Sequence, residues 1–173
     1  MIAKPLVLIA GLAFGFPGSA LGCDHLTHHF EHCIEGTPWA QGVWEQGGDS
    51  ATLHLDNIEY EGFEQFIGSD EQTSLRGALD LVLRKTSDRH PERKTVQRDK
   101  FSTADLKIVR IIVTDVDYKG QPRINTWMIA QAPDRTRIML SVRAPIGTDV
   151  TEMDRLSRAY AALVKPRTGL EGN

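Results

Sequence analysis

Between Asp105 and Tyr118 the chain reads DLKIVRIIVTDVDY. Extended backbone places Leu106, Ile108 and Ile112 on one side and Val109, Ile111 and Val113 on the other. Apolar residues on both sides predict a strand covered on both faces of its sheet. A short turn at Lys119 and Gly120 leads into PRINTWMIAQ, and APDR makes a second turn into TRIMLSVRA, so three long neighbouring strands form an antiparallel meander. Upstream, GVWEQ and SATLHLDNI read as strands, the second alternating Leu53 and Leu55 against Thr52, His54 and Asp56. Tyr60, Phe63 and Phe66 mark a further short strand or turn.

Two segments carry helical spacing instead. In SDEQTSLRGALDLVLRKTSD, the residues Leu75, Ala78, Leu79 and Val82 share a face, with acids at the start and Arg84 and Lys85 at the end, both suited to the helix dipole. A second helix begins near Asp149, with Glu152 placed for a capping box and an apolar stripe of Val150, Met153, Leu156, Ala159, Tyr160 and Leu163. The order of strands, helix, long strands and helix predicts an α+β fold, an antiparallel β-sheet flanked by helices. In this element order, and in the character of KIVRIIVTDVDYKGQPRINTWMIA, residues 40–165 resemble the Mog1/PsbP/DcrB-like α/β sandwiches. The resemblance implies a non-enzymatic adaptor, assembly factor or chaperone-like module.

The N-terminus follows a different pattern. MIAKPLVLIAGLAFGFPGSALG has one early cation, an apolar run from Leu6 to Phe16, a helix-breaking Pro17 and then small residues. That is the build of a secretory signal peptide, with cleavage expected before Cys23 or, as an alternative, after Ala20. The apolar run is shorter than the roughly 20 residues that span a bilayer, so no transmembrane anchor is expected in the mature chain. A lipoprotein signal would lipidate Cys23, but the aliphatic residue that pattern wants three places earlier is Ala20, and lipidation would leave Cys33 unpaired. The expected organisation is a signal peptide at 1–22, a disulfide-tied segment at 23–38, the sandwich domain at 39–165 and a flexible tail at 166–173. The 151 residues from Cys23 onward are enough for one domain with its own core.

Charge changes this picture more than the net value of −3 suggests. From Asp24 to Leu75 there are 11 Asp and Glu and no Lys or Arg, whereas from Arg76 to Asn173 there are 19 Lys and Arg against 12 Asp and Glu. Either the two parts pack together and neutralise one another, or the first part presents an acidic face to a basic partner. Residues Glu45, Asp49, Asp56, Glu59, Glu61 and Glu64 would form that face. The basic stretch from Arg84 to Lys100 has no interleaved aromatics and no glycine-rich phosphate loop, so it reads as a solvated connection, and nucleic acid is not an expected partner.

The densest candidate chemistry is CDHLTHHFEHC, which holds both cysteines and four of the six histidines. As a continuous helix it would align His25, His28, His29 and His32 for a metal ion. Such a helix would separate Cys23 and Cys33 by about 15 Å along its axis, too far for a disulfide, which needs α-carbons within about 7 Å. The two readings exclude one another, and two cysteines in a secreted chain favour the disulfide. Closing that loop contributes about 2–3 kcal/mol. The nearby Asp24, Glu31 and Glu35 would give the histidines a pH sensitivity near neutrality.

Other motifs fail on their own terms. DVDYKG is not a calcium loop, because Lys119 stands where an oxygen ligand is needed and Thr126 where the bidentate Glu belongs. Neither G-x-S-x-G nor H-E-x-x-H occurs. His54 beside Asp56 and His90 beside Asp88 are the only suggestions of a general base, and Trp39, Trp44, Tyr60, Phe63 and Phe66 read as packing rather than a ligand cage. The sequence thus predicts a secreted or periplasmic binding or accessory protein with a protein partner, an immunity protein against a periplasmic toxin being one version. No catalytic residue and no cofactor is expected. A metal-binding protein using the four histidines and a small periplasmic hydrolase are the alternatives.

Overall fold

The computed structural model describes residues 22–47, 49–64, 74–87, 91–117 and 119–168. The expected signal segment up to residue 21, Phe66, the acids Asp70 and Glu71 ahead of the first helix, and the Asp88 and His90 pair lie outside the described residues.

In chain order the strands are β1 (Asp24–His25), β2 (Phe30–His32), β3 (Val43–Gly47), β4 (Ser50–Leu55) and β5 (Ile58–Phe63), followed by helix α1 (Leu75–Lys85). Then come β6 (Lys94–Ser102), β7 (Lys107–Val116), β8 (Pro122–Gln131), β9 (Arg137–Pro145), helix α2 (Val150–Leu163) and β10 (Val164–Pro166). The main sheet has the order β3-β4-β5-β9-β8-β7-β6, and β1-β2-β10 form a small second sheet. All the pairings are antiparallel. The β4–β5 hairpin closes through Asp56 and Asn57, both in left-handed backbone (φ 51° and 64°), the conformation that a tight two-residue turn demands and short polar side chains tolerate.

The segment read as a solvated basic connection contains β6, so the meander has four strands rather than three. An edge strand buries little, and Lys94, Arg98 and Lys100 are exposed on it. Those cations, and a bulge between Thr95 and Gln97, are devices that keep a sheet edge from pairing with other chains, and they also mask the strand's alternation.

The two-sided strand is as expected. Ile108 and Ile112 pack into a core with α2 residues Met153, Leu156 and Tyr160, while Ile111 and Val113 pack into a second core with Ala78, Leu79 and Val82 of α1. Ser74 caps α1 by accepting from the Gly77 amide at 3.0 Å, and Asp149 caps α2 by accepting from the Thr151 amide at 2.6 Å. Glu152 does not complete a capping box with the Asp149 amide; it binds Arg155 at 2.6 Å. The buried face of α2 turns slightly from the expected stripe, taking in Ser157 and Ala161 in place of Ala159 and Leu163.

Between Ile108 and Ile112, on the same face, sits Arg110, with no exposed surface. Its guanidinium donates to Asp99 on β6 at 2.9 and 2.5 Å, to the Ser157 hydroxyl on α2 at 2.7 Å and to the Asp154 carboxylate. The ring of Phe101 lies 5.1 Å beneath it. Hydrogen bonds from Arg110, aided by Gln97, hold the Asp99 carboxyl below its ordinary value despite burial.

The N-terminal segment, expected as a separate tied piece, is woven into the domain. Cys23 and Cys33 form the disulfide, with α-carbons 4.1 Å apart, around the β1–β2 hairpin. Leu26 and Phe30 enter the same core as Tyr60 and Tyr160. Two residues assigned to the expected tail are held by the domain instead: Pro166 pairs with Phe30 and the Arg167 amide donates to the His29 carbonyl at 2.8 Å.

Two stability measurements follow from this packing. Asp99→Ala leaves a buried guanidinium short of its bidentate partner and is expected to lower the unfolding free energy by about 3 kcal/mol, with Arg110→Met costing less because it removes the charge as well. Urea titration of both variants checks the order. Gly62 sits beneath Leu26, and a Cβ there would lie 2.8 Å from a Leu26 methyl. Gly62→Ala is therefore expected to cost about 1–3 kcal/mol by overpacking, read as a lower denaturation midpoint.

Candidate functional site: an acidic half-sheet and its pocket

Strand register builds the site. On the face that α1 covers, one row across the sheet runs Glu45, Thr52, Glu61, Ser141, Trp127 and Ile111. The row on one side of it runs Val43, His54, Glu59, Arg143, Asn125 and Val113, and the row on the other runs Gly47, Ser50, Phe63, Met139 and Ile129. Helix α1 packs over β7 and β8, so it covers the apolar end of these rows. Over β3, β4 and β5 the rows turn polar and acidic, and their side chains are exposed or half-buried. Val43 is 65% exposed there.

Where the covered and open halves meet, the surface sinks into a pocket of about 530 Å³. Phe63, Trp127 and Met139 supply apolar lining, Val82 of α1 and its C-cap Thr86 form one wall, and Asp49, Glu61 and Glu64 bring carboxylates, with Ser141 and Arg143 alongside. Three of the six acids expected on a partner face thus converge on one concavity. Glu59 lies next to it, bound to Arg143 at 2.5 Å. Glu45 stands further out on β3 and faces His54 at 3.7 Å, and Asp56 is at the tip of the β4–β5 hairpin.

The converging acids are not equivalent. Glu64 accepts from the Thr27 hydroxyl at 2.6 Å and from the His29 amide at 2.7 Å, and its second oxygen meets His29 Nδ1 at 3.0 Å. Burial pushes its carboxyl up, but these bonds outweigh it and leave the group below its ordinary value. Glu61 accepts only from the Ser141 hydroxyl, at 3.3 Å, among the described residues. The Asp49 carboxylate makes no hydrogen bond among them.

The wider ion-pair pattern runs mostly within one part of the chain. Arg93–Asp115, Arg98–Asp80, Arg110 with Asp99 and Asp154, Arg123–Asp117, Arg155–Glu152 and Arg158–Asp154 all lie within the basic part of the chain. Among the described residues a single Arg or Lys pair, Glu59–Arg143, joins the acidic part to the basic one. Among the described residues, then, arginine and lysine ion pairs join the two parts at one point only.

The histidine cluster comes apart. With a hairpin in place of a helix, His25 is exposed on β1 and His32 is buried, its ring stacked on Trp44 at 4.0 Å. Burial lowers the His32 pKa against a smaller upward pull from Asp24. His29 is committed to Glu64, with His28 edge-on to it at 4.5 Å. Among the described residues no three of the four bring ligand atoms within 4.8 Å of one another, and the one group that does, Cys23, Glu31 and Cys33, has its sulfurs in the disulfide. His54 is paired with Glu45 and not with Asp56.

Sequence reasoning missed Trp127, Met139, Ser141 and Arg143, which reach the site only through sheet register. It also missed Arg93, whose guanidinium lies 4.3 Å over the Trp127 ring, pairs with Asp115 at 3.0 Å and binds Thr86 Oγ1 at 3.0 Å. The alternation in RINTWMIAQ and RIMLSVRA was the available signal, since every second residue had to face α1's side of the sheet.

No protein-family model matches the chain, and no curated protein matches it in sequence. Solved structures do match, in fold. A Pseudomonas aeruginosa protein of unknown function aligns at a TM-score of 0.51 with 7% identity, over 74% of this chain and 99% of that one. The Saccharomyces cerevisiae Ran-binding protein Mog1p aligns at 0.48 with 8% identity, over 80% and 84%. The T6SS immunity protein TplEi from Pseudomonas aeruginosa aligns at 0.47 with 14% identity, over 68% of this chain and 43% of that one. At these identities the likeness is one of fold alone, an antiparallel sheet flanked by helices of the type the element order resembles.

Because the native Glu64 pKa is lowered, its contribution to stability is present above the ordinary value of 4.5 and is lost as the pH falls through the native value. Glu64→Gln is expected to loosen the β1–β2 loop at neutral pH. Protection of the His29 amide, its exchange rate taken relative to the intrinsic rate at the same pH, should fall in the variant, and in the wild type as the pH is lowered through the depressed native value of Glu64.

Proposed function

We propose that this chain is a secreted or periplasmic, non-enzymatic binding module that engages a basic surface of a protein partner through the open half of its main sheet. The observation that carries this reading is the partition of charge. Among the described residues the ion pairs of the second part run to acids of the same part, Arg143 with Glu59 excepted, so Glu45, Asp49 and Glu61 stand on an uncovered sheet face without an arginine or lysine ion pair among those residues. Uncompensated charge of one sign on a half-exposed sheet steers a partner of the opposite sign and sets its register. Exposed apolar surface at Val43 and the part-exposed Phe63 offers area to bury at the same contact.

The disulfide supports a location outside the reducing cytosol, where such bonds persist, and it agrees with the signal-like N-terminus. No described helix is long and apolar enough to cross a membrane.

The test uses residues that the fold does not need. Glu59 and Glu64 are bound within the domain, so reversing them would disturb the structure together with the surface. A Glu45→Lys/Glu61→Lys double variant, checked for native circular dichroism, should lose the proteins that the wild-type chain captures from an envelope extract at low salt. Glu92→Lys, at an exposed turn ahead of β6 and outside the pocket lining, should retain them. An unchanged partner set in the double variant would refute the acidic-face reading.

A further inference from the structure

We infer that the pocket between α1 and the acidic half-sheet receives a single cationic side chain, an arginine or a lysine, projecting from the partner. This rests on the acidic-face reading and adds the chemistry of its central contact.

Shape and lining select the occupant. A volume of about 530 Å³ lies within the roughly 300–1,000 Å³ of ligand pockets and admits a whole side chain with some flanking backbone. Trp127 and Met139 are nearly buried and Phe63 is half-buried, so with Val82 they give a lining that is otherwise polar an apolar side, which suits the methylene stem of a long cation. Glu61, between Thr52 and Ser141 in its row, is the carboxylate with capacity to spare, its one hydrogen bond among the described residues being the 3.3 Å contact from Ser141. Asp49 lies at the end of the β3–β4 turn and adds a second uncommitted carboxylate.

Other occupants fit less well. An anion would face three carboxylates, and the only cation in the lining, Arg143, is already held by Glu59 at 2.5 Å. A divalent metal needs ligand atoms gathered round one point, yet Asp49, Glu61 and Glu64 do not bring their oxygens within 4.8 Å of one another. Carboxylates set beside an apolar wall match an extended guanidinium or ammonium, for which charge-assisted hydrogen bonds are the strong recognition element.

The test is a two-dimensional NMR titration of the chain with three blocked tripeptides, acetyl-Gly-Arg-Gly-amide, its lysine counterpart and its glutamate counterpart. The arginine or lysine peptide should produce saturable shifts at the Trp127 indole and the Ser141 amide, with a dissociation constant of about 1 mM. Glu61→Gln should weaken this about tenfold, and Glu92→Gln should leave it unchanged. Absence of saturation with either cationic peptide, an equal response to the glutamate peptide, or no effect of Glu61→Gln would overturn the inference. The failures of the two readings are distinguishable. Capture that depends on Glu45 and Glu61 without peptide binding retains the acidic face and rejects the pocket, whereas peptide binding with capture unchanged in the double variant overturns both, because a pocket altered at Glu61 is then not what the captured partner enters.

Discussion

A cation with no access to water stands at the centre of this fold. Burying an unpaired guanidinium costs several kcal/mol, so Arg110 can occupy the core face of β7 only where acceptors surround it. Those acceptors come from two other elements, Asp99 on β6 and Asp154 with Ser157 on α2. The edge strand and the C-terminal helix are therefore held to β7 by one side chain whose needs neither could meet alone. Arg158 extends the arrangement outward, stacking on Phe101 at 4.4 Å while pairing with Asp154 at 2.9 Å. A geometry this demanding specifies how α2 lies across the sheet more sharply than an apolar stripe would.

The same constraint shapes the surface. Asp99 and Asp154 are bound to Arg110, Asp115 to Arg93, and Asp80 to Arg98, so these pairs stay inside the basic part of the chain. Among the described residues only Arg143 forms an arginine or lysine ion pair with an acid of β3, β4 or β5. Helix α1, capped at one end by Ser74 and met at the other by Arg93, lies over β7 and β8, and its wall stops at Val82 and Thr86. The open acidic half-sheet and the pocket at its border thus have one cause, a helix that covers half of a face beside charges paired elsewhere.

The N-terminal hairpin works as a clamp on the opposite face. The disulfide closes it, β10 pairs along β2, and Leu26 presses on Gly62. Glu64 then ties the hairpin's loop to the end of β5 through Thr27 and His29. In this setting two of the four histidines serve packing and tethering, His32 against Trp44 and His29 against Glu64.

Local pattern carried a good deal of this. The two-sided apolar run of β7, the alternation in β4, the stripes of both helices and the pairing of Cys23 with Cys33 were all legible, because each depends on neighbours within a few residues or on the chemistry of a single residue type. The edge strand β6 was not, since a strand with one free edge and lysines along it carries no hydrophobic alternation to read. Nor was Arg110, a charged letter in an apolar run whose partners are 11, 44 and 47 residues away. The sequence by itself determined that acids crowd the first part and cations the second. Only the tertiary structure decided which acids stay free and which three meet in a pocket. Pairing within a sheet sets residues such as Glu61 and Ser141, 80 apart in the chain, side by side, and no local periodicity encodes that distance.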